Sequence, residues 1–209
     1  MSGRLILAAT FLFCFSTQGA PQLVNAIAAK VGDRLITVQD AYLFRGVQRL
    51  RSGERPVILF ETDKSLKITV QKVMFEEMIL AEAKAVDFKE LDPKQVNETI
   101  KRLKELSGGA DWIRLLKTFS ISDSEAAKRV SQGLLAERFL KKKIESLTPV
   151  ITDSEIEQYT KNYPEKVKKL GDENRSLVAE ALKKERVDKG LQDYIDFLTE
   201  KYAATLLLS

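Results

Sequence analysis

The stretch from Asn25 to Tyr42, NAIAAKVGDRLITVQDAY, limits what this chain can fold into more than any other. Asn25, Ile27, Ala29 and Val31 alternate with smaller or polar residues, the period-two pattern of a half-buried strand. Gly32-Asp33 marks a reversal, because glycine adopts the positive φ that tight hairpin turns require. Leu35 and Ile36 begin a return strand. Thr37 then offers its hydroxyl to the unpaired N–H groups of a following helix, with Asp40 three residues on. A short β-ribbon running straight into a capped helix, ahead of an almost wholly helical chain, is an uncommon order of elements.

The remaining pattern has helical period. A first helix covers about Val38 to Leu50 and stops at Ser52-Gly53. Asp63 opens a long helix reaching Val86. Leu66, Val70, Val73, Met74, Met78 and Ala81 form one apolar side of it, and Ile68, Phe75 and Ile79 a second. A helix apolar over that much of its circumference should be central. Asp92-Pro93 starts another, with Val96, Ile100, Leu103 and Leu106 inward, ended by Ser107-Gly108-Gly109. A short helix carries Trp112, Leu115, Leu116 and Phe119. Ser122 with Glu125, and Thr152 with Glu155, have the spacing of capping boxes for two more helices. Pro164 to Gly171 is a polar connection. A last long helix starts at Asp172 and ends near Tyr202, and the uncharged tail Ala203 to Leu208 can add a strand to the N-terminal ribbon, hiding an edge. The expectation is a mainly α fold with a small β-ribbon. Residues 21–209 would form a single helical domain in which 172–209 return to pack on the N-terminal part.

Residues 1–20 read as a secretory signal peptide. Arg4 supplies the positive region, Leu5 to Phe15 is apolar but short for a bilayer span, and Ser16 to Ala20 is small and polar. Cleavage is expected after Gly19 or Ala20, the alternative being an uncleaved anchor. The single cysteine, Cys14, falls inside that segment, so no disulfide, thiolate metal site or cysteine nucleophile is expected beyond it. The chain has no histidine, which removes Ser-His-Asp chemistry, HExxH zinc chemistry and histidine-assisted isomerisation. No cofactor or metal is expected. The 34 basic and 30 acidic residues are interspersed, which argues for a solvated surface and against a nucleic-acid footprint. Lys141-Lys142-Lys143 reads as the charged end of a helix. The acidic pair Glu76-Glu77 reads as solvated helix surface in preference to acid–base machinery.

Several pieces in order resemble the helical chaperone module of SurA-type periplasmic proteins, the parvulin-associated chaperones. They are AIAAKVGDRLITVQDA, VQKVMFEEMILAEAKAVDF, the helix pair around GGADW, VITDSEIEQYTKNYPEKV, and the returning EALKKERVDKGLQDYIDFLTEKYAATLLL. Together they span nearly all of 21–209. The resemblance implies an N-terminal chaperone-type fold, a periplasmic location and binding of unfolded polypeptides. Relatives usually carry a parvulin prolyl-isomerase domain after the segment matching NYPEKV. Here only a few residues precede the returning helix, too few for a domain of roughly 50 residues.

The function expected is therefore an ATP-independent holdase without isomerase activity, binding unfolded or partly folded chains such as outer-membrane protein precursors. No nucleic acid and no stable membrane insertion after signal cleavage are expected. The alternative is a dedicated structural or assembly partner that binds one protein or itself, including a homodimer formed by exchange of the C-terminal helix. Client contact needs accessible apolar surface. The candidates are Val57, Ile58, Leu59 and Phe60 in the connection after the first helix, and Trp112, Leu116 and Phe119 behind the Gly-Gly turn. Met74 and Met78 add adaptable thioethers.

Overall fold

A computed structural model describes residues 26–56, 63–88, 91–106, 108–169 and 175–208. Among these the chain is mainly helical, with eight helices and three short strands. Strand β1 (Ile27–Val31) and β2 (Arg34–Thr37) form an antiparallel hairpin pairing Ala29 with Ile36 and Val31 with Arg34. Gly32 sits at φ +55° in the two-residue loop, a value that a residue with a Cβ rarely adopts. The ladder is irregular between Ile27 and Ala29. That irregularity alters the simple alternation: Ala28, Ala29 and Val31 are buried, while Ile27 faces outward.

The tail does return as a strand. β3 (Thr205–Leu206) pairs antiparallel with the free side of β1, giving the sheet order β2-β1-β3. Two main-chain hydrogen bonds pin it further: Leu207 N–H donates to Ala28 carbonyl at 2.8 Å, and Gly32 N–H donates to Tyr202 carbonyl at 2.6 Å. The two ends of the described chain thus close on one another.

Helix α1 (Val38–Arg51) starts at Thr37 as the sequence indicates. The Asp40 N–H donates to the Thr37 hydroxyl, and the Asp40 carboxylate accepts from the Thr37 N–H at 2.8 Å. Next come α2 (Asp63–Ala85), α3 (Pro93–Glu105), α4 (Ala110–Phe119) and α5 (Asp123–Leu147). α6 (Asp153–Asn162), α7 (Pro164–Lys169) and α8 (Arg175–Lys201) complete the set. The reciprocal caps of α5 and α6 form as spaced. Main-chain and hydroxyl donors of Thr152 hold the Glu155 carboxyl down at about 2. One element departs from expectation. The polar segment after Tyr163 is a helix, because proline at a first helical position gives up an N–H that has no intrahelical partner there.

Three apolar clusters organise these elements. The first joins the inner face of the sheet (Ala29, Ile36) to α2 (Val70, Val73, Ile79), α5 (Ala136) and the second half of α8 (Tyr194, Leu198). The second packs α1, α3, α4 and the start of α5 around Leu50, Leu103, Trp112, Leu115 and Val130. The clustered buried residues of α2, Val70 to Ile79, belong to the first; Leu66 also packs on the second, and Ile68, expected on a second apolar side, is exposed. The third is small: Ile156, Tyr159, Val167, Val178 and Leu182 from α6, α7 and the first half of α8. At 27 residues α8 is about 40 Å long and divides its length between the third cluster and the first.

Candidate polypeptide-binding groove

A wide opening lies where α2 ends, α5 passes and the hairpin turn meets the end of α8. It is a groove of about 710 Å³. Glu77, Leu80, Ala81 and Lys84 face it from α2 at the i, i+3, i+4, i+7 spacing of a single helical face. Gln132 and Leu135 face it from α5, Gly32 and Asp33 from the turn, and Tyr202 from the end of α8. The last wall is Phe88, and the end of α2 places it. Asp87 takes the left-handed conformation at φ 49°. Its N–H donates to Lys84 carbonyl, and the Phe88 N–H reaches back to Ala83 carbonyl at 2.8 Å, the paired bonds of a Schellman ending. The reversal lays Phe88 edge-on to Phe139, ring centroids 5.1 Å apart.

A second compartment of about 360 Å³ continues across α5. Gln132 and Leu135 line both, so the two compartments adjoin along α5 and are together called the trough. Its other wall is α3, with Pro93, Val96 and Asn97. The chemistry changes along the trough. The larger part carries Asp33, Glu77 and Asp87 against Arg34 and Lys84, whereas among the described residues the smaller part has no ionisable side chain in its lining. Such a surface can hold an extended apolar segment and keep charged flanks near water.

Behind the groove lies a buried charge cluster that the sequence pattern does not announce. Glu76 is only 9% exposed, a correction to the expectation of solvated helix surface. It points from α2 towards α5, where Arg129 Nη2 lies 2.9 Å from Glu76 Oε1 and Nη1 lies 3.3 Å from Glu77 Oε1. The Arg129–Glu76 contact is an ion pair without hydrogen-bond alignment, since neither of those two atoms has a hydrogen-bond partner. Burial pushes the Glu76 carboxyl above its usual range, with Arg129 opposing. Beside it Arg51 of α1 forms a bidentate pair with Glu137 of α5 at 2.6 and 2.7 Å. These pairs fix the spacing of α1, α2 and α5 and so the floor of the groove.

The residues singled out from sequence fall elsewhere. Trp112 and Phe119 are each 3% exposed, and Leu116 packs against the same second cluster. None of the three lines the trough. Trp112 is a core anchor: its indole N–H donates to Asp123 Oδ1 at 2.9 Å, and Lys104 donates to the other carboxylate oxygen at 2.8 Å. Those two donors, Lys104 first, hold the Asp123 carboxyl below its usual range. Met74 and Met78 are likewise buried in the first cluster. Val57, Ile58, Leu59 and Phe60 lie outside the described residues. Sequence reasoning did not single out Phe88, Val96, Gln132 or Leu135 as a site. The one available signal was the doublet Leu134-Leu135, in which adjacent leucines cannot share one narrow helix face. Leu134 packs on the second cluster and Leu135 opens into the trough.

No helix among the described residues is long and apolar enough to cross a membrane. No protein-family model, no curated protein and no solved structure matches this chain.

Proposed function

We propose that this chain is a periplasmic, ATP-independent holdase of the SurA-like kind, and that unfolded polypeptides occupy the trough across α5. The observation that carries the reading is the trough itself. It is open, its two compartments adjoin along α5, polar and apolar groups line it together, and among the described residues the smaller compartment has no ionisable side chain. Burial of an extended apolar segment there is favourable at about 25 cal/mol per Å² removed from water. A groove with few directional contacts holds many sequences weakly, and mass action then lowers the concentration of the aggregating species. The likeness to SurA-type modules rests on the sequence resemblance, with which the ribbon, the returning helix and the closing third strand are compatible. Outer-membrane protein precursors, with their alternating apolar and aromatic segments, suit such a groove.

The test is suppression of aggregation. Purified chain should slow light scattering by several unrelated unfolded clients, in proportion to its concentration and without nucleotide. Tight, stoichiometric binding to one protein with no effect on the others would replace the holdase by a dedicated assembly partner. Catalysis of prolyl isomerisation in a test peptide should be absent.

A further inference from the structure

α8 is shared between two packed bodies. Its first half packs with α6 and α7 through Val178 and Leu182, and its second half packs on the sheet and α2 through Tyr194 and Leu198. Between Leu182 and Tyr194, a span of about 18 Å, no residue of α8 is buried. The polar ties of the first half also stay local. Arg186 pairs with Glu155 at 2.6 Å, Lys166 with Glu185 at 2.9 Å and Arg175 with Asp153 at 2.9 Å. The Tyr159 hydroxyl donates to Glu185 at 2.8 Å. α6, α7 and the first half of α8 therefore form an arm with an apolar centre and ion pairs of its own.

The way the arm joins the body supplies the second, independent observation. Two connections reach it, the non-helical residues 148–152 and the middle of α8, and they start side by side. α5 ends at Leu147, where Thr148 turns extended at ψ 110° ahead of Pro149, a residue that disfavours the helical conformation in its predecessor. A Cβ built on Gly190 would lie 3.5 Å from Leu147 Cδ2, so α8 comes back past the point where the chain leaves for the arm. Gly190 is the single glycine of α8 and falls in the stretch with no buried residue. Glycine weakens a helix at its own position. Connections set far apart would fix the arm's orientation, whereas two that pass at one place leave an axis of rotation between them.

We infer that the arm of α6, α7 and the first half of α8 swings as a unit about a hinge formed by Leu147–Pro149 and Gly190. The backbone change is confined to the glycine and to the connection after Leu147, the few positions at which a hinge absorbs its φ and ψ changes. Swinging strips no buried side chain from α8, since none lies between Leu182 and Tyr194. The inference does not depend on what the trough holds.

The experiment measures distances between paired spin labels in the full chain carrying Cys14→Ser, which removes the single native cysteine. Lys128→Cys with Lys161→Cys reports α5 against the arm, and Lys128→Cys with Asp193→Cys reports α5 against the second half of α8. All three positions are exposed. The arm-to-body distribution should be about twice as wide as the body-to-body one. Gly190→Ala strengthens α8 and places its methyl at ordinary contact distance from Leu147, so the variant should fold and should narrow the arm-to-body distribution towards the body-to-body width. Amide exchange at Ile156, Tyr159 and Leu182 should be slow in both proteins, as for an arm that moves without unfolding. Equal widths for the two pairs, or a wide distribution that Gly190→Ala leaves unchanged, overturn the hinge. Fast exchange at those three amides overturns it as well, because the arm would then be melting instead of swinging.

Discussion

At Asp87, Ser120 and Ala203 the backbone enters the left-handed region, at φ 49, 51 and 44°. Each ends a helix with the reversed hydrogen bonds that usually select glycine, as Gly53 does after α1. A Cβ in this region costs about 1 kcal/mol, and a non-polar one gains nothing in return. Ala203→Gly should therefore raise stability by about 1 kcal/mol, and Gly53→Ala should lower it by a similar amount, both measured by urea unfolding. Where α2 and α8 end was legible to within a residue, but their left-handed endings were not, because the sequence lacks the glycine that signals them. The N-terminal caps were legible, because Thr37, Ser122 and Thr152 carry the hydroxyl and their partners sit three residues on. The buried pair was hidden for a different reason: Glu76 next to Glu77 looks solvated until Arg129, far along the chain, is placed opposite. Its sign with pH is definite. The folded state raises the Glu76 carboxyl above 4.5, so it holds that proton more tightly than the unfolded chain. Ionising Glu76 thus costs stability, and the cost fades as pH falls through the raised value towards 4.5. Arg129→Met removes the compensating charge. It should destabilise by about 3 kcal/mol near neutral pH, with the gap to wild type narrowing on acidification, when thermal unfolding is followed across pH. Asp123 has the opposite sign. Its lowered carboxyl gives stability that is present above 3.8 and is lost as pH falls through the depressed value. Asp123→Asn should flatten that acid limb, read from the fluorescence of Trp112, the chain's single tryptophan.

Close approach between elements is decided at few points. α1 and α4 meet at Gly46, where a Cβ would lie 2.7 Å from Leu115 Cδ1. Leu115 is 1% exposed and hemmed in by the second cluster, so it has little room to yield. Gly46→Val should destabilise by about 2 kcal/mol through overpacking, seen as a lower midpoint in urea with an unchanged slope. Periodicity located seven of the eight helices, because each buries one side and the period of that side is visible in sequence. It missed α7, whose six residues include one buried side chain, Val167, too few to set a period. It also placed Ile27 on the inner face of β1. A ladder irregularity between Ile27 and Ala29 turned it outward, and nothing in an alternating string records such a shift.

On the scale of the molecule, the hairpin, the long helices and the returning tail close into one arrangement, and the trough is a product of that closure. Its walls come from the turn at Asp33, the end of α2 at Phe88, Val96 of α3, Gln132 and Leu135 of α5 and Tyr202 after α8. The fold class was legible because it depends on local period and on the order of elements. The site was not, because it depends on which distant residues those elements bring together. Trp112 and Phe119 drew attention as large aromatics beside a turn, yet the same size and apolarity make them the natural filling of the second cluster. The claim that the trough holds unfolded polypeptide has one direct measurement: amide chemical-shift mapping of the full chain during titration with an unfolded, non-aggregating client. The account predicts perturbations gathered at Leu80, Phe88, Val96, Gln132 and Leu135, with fast exchange from weak binding. Perturbations confined to the outer side of the sheet around Ile27, Leu35 and Leu207, or none at saturating client, would contradict it.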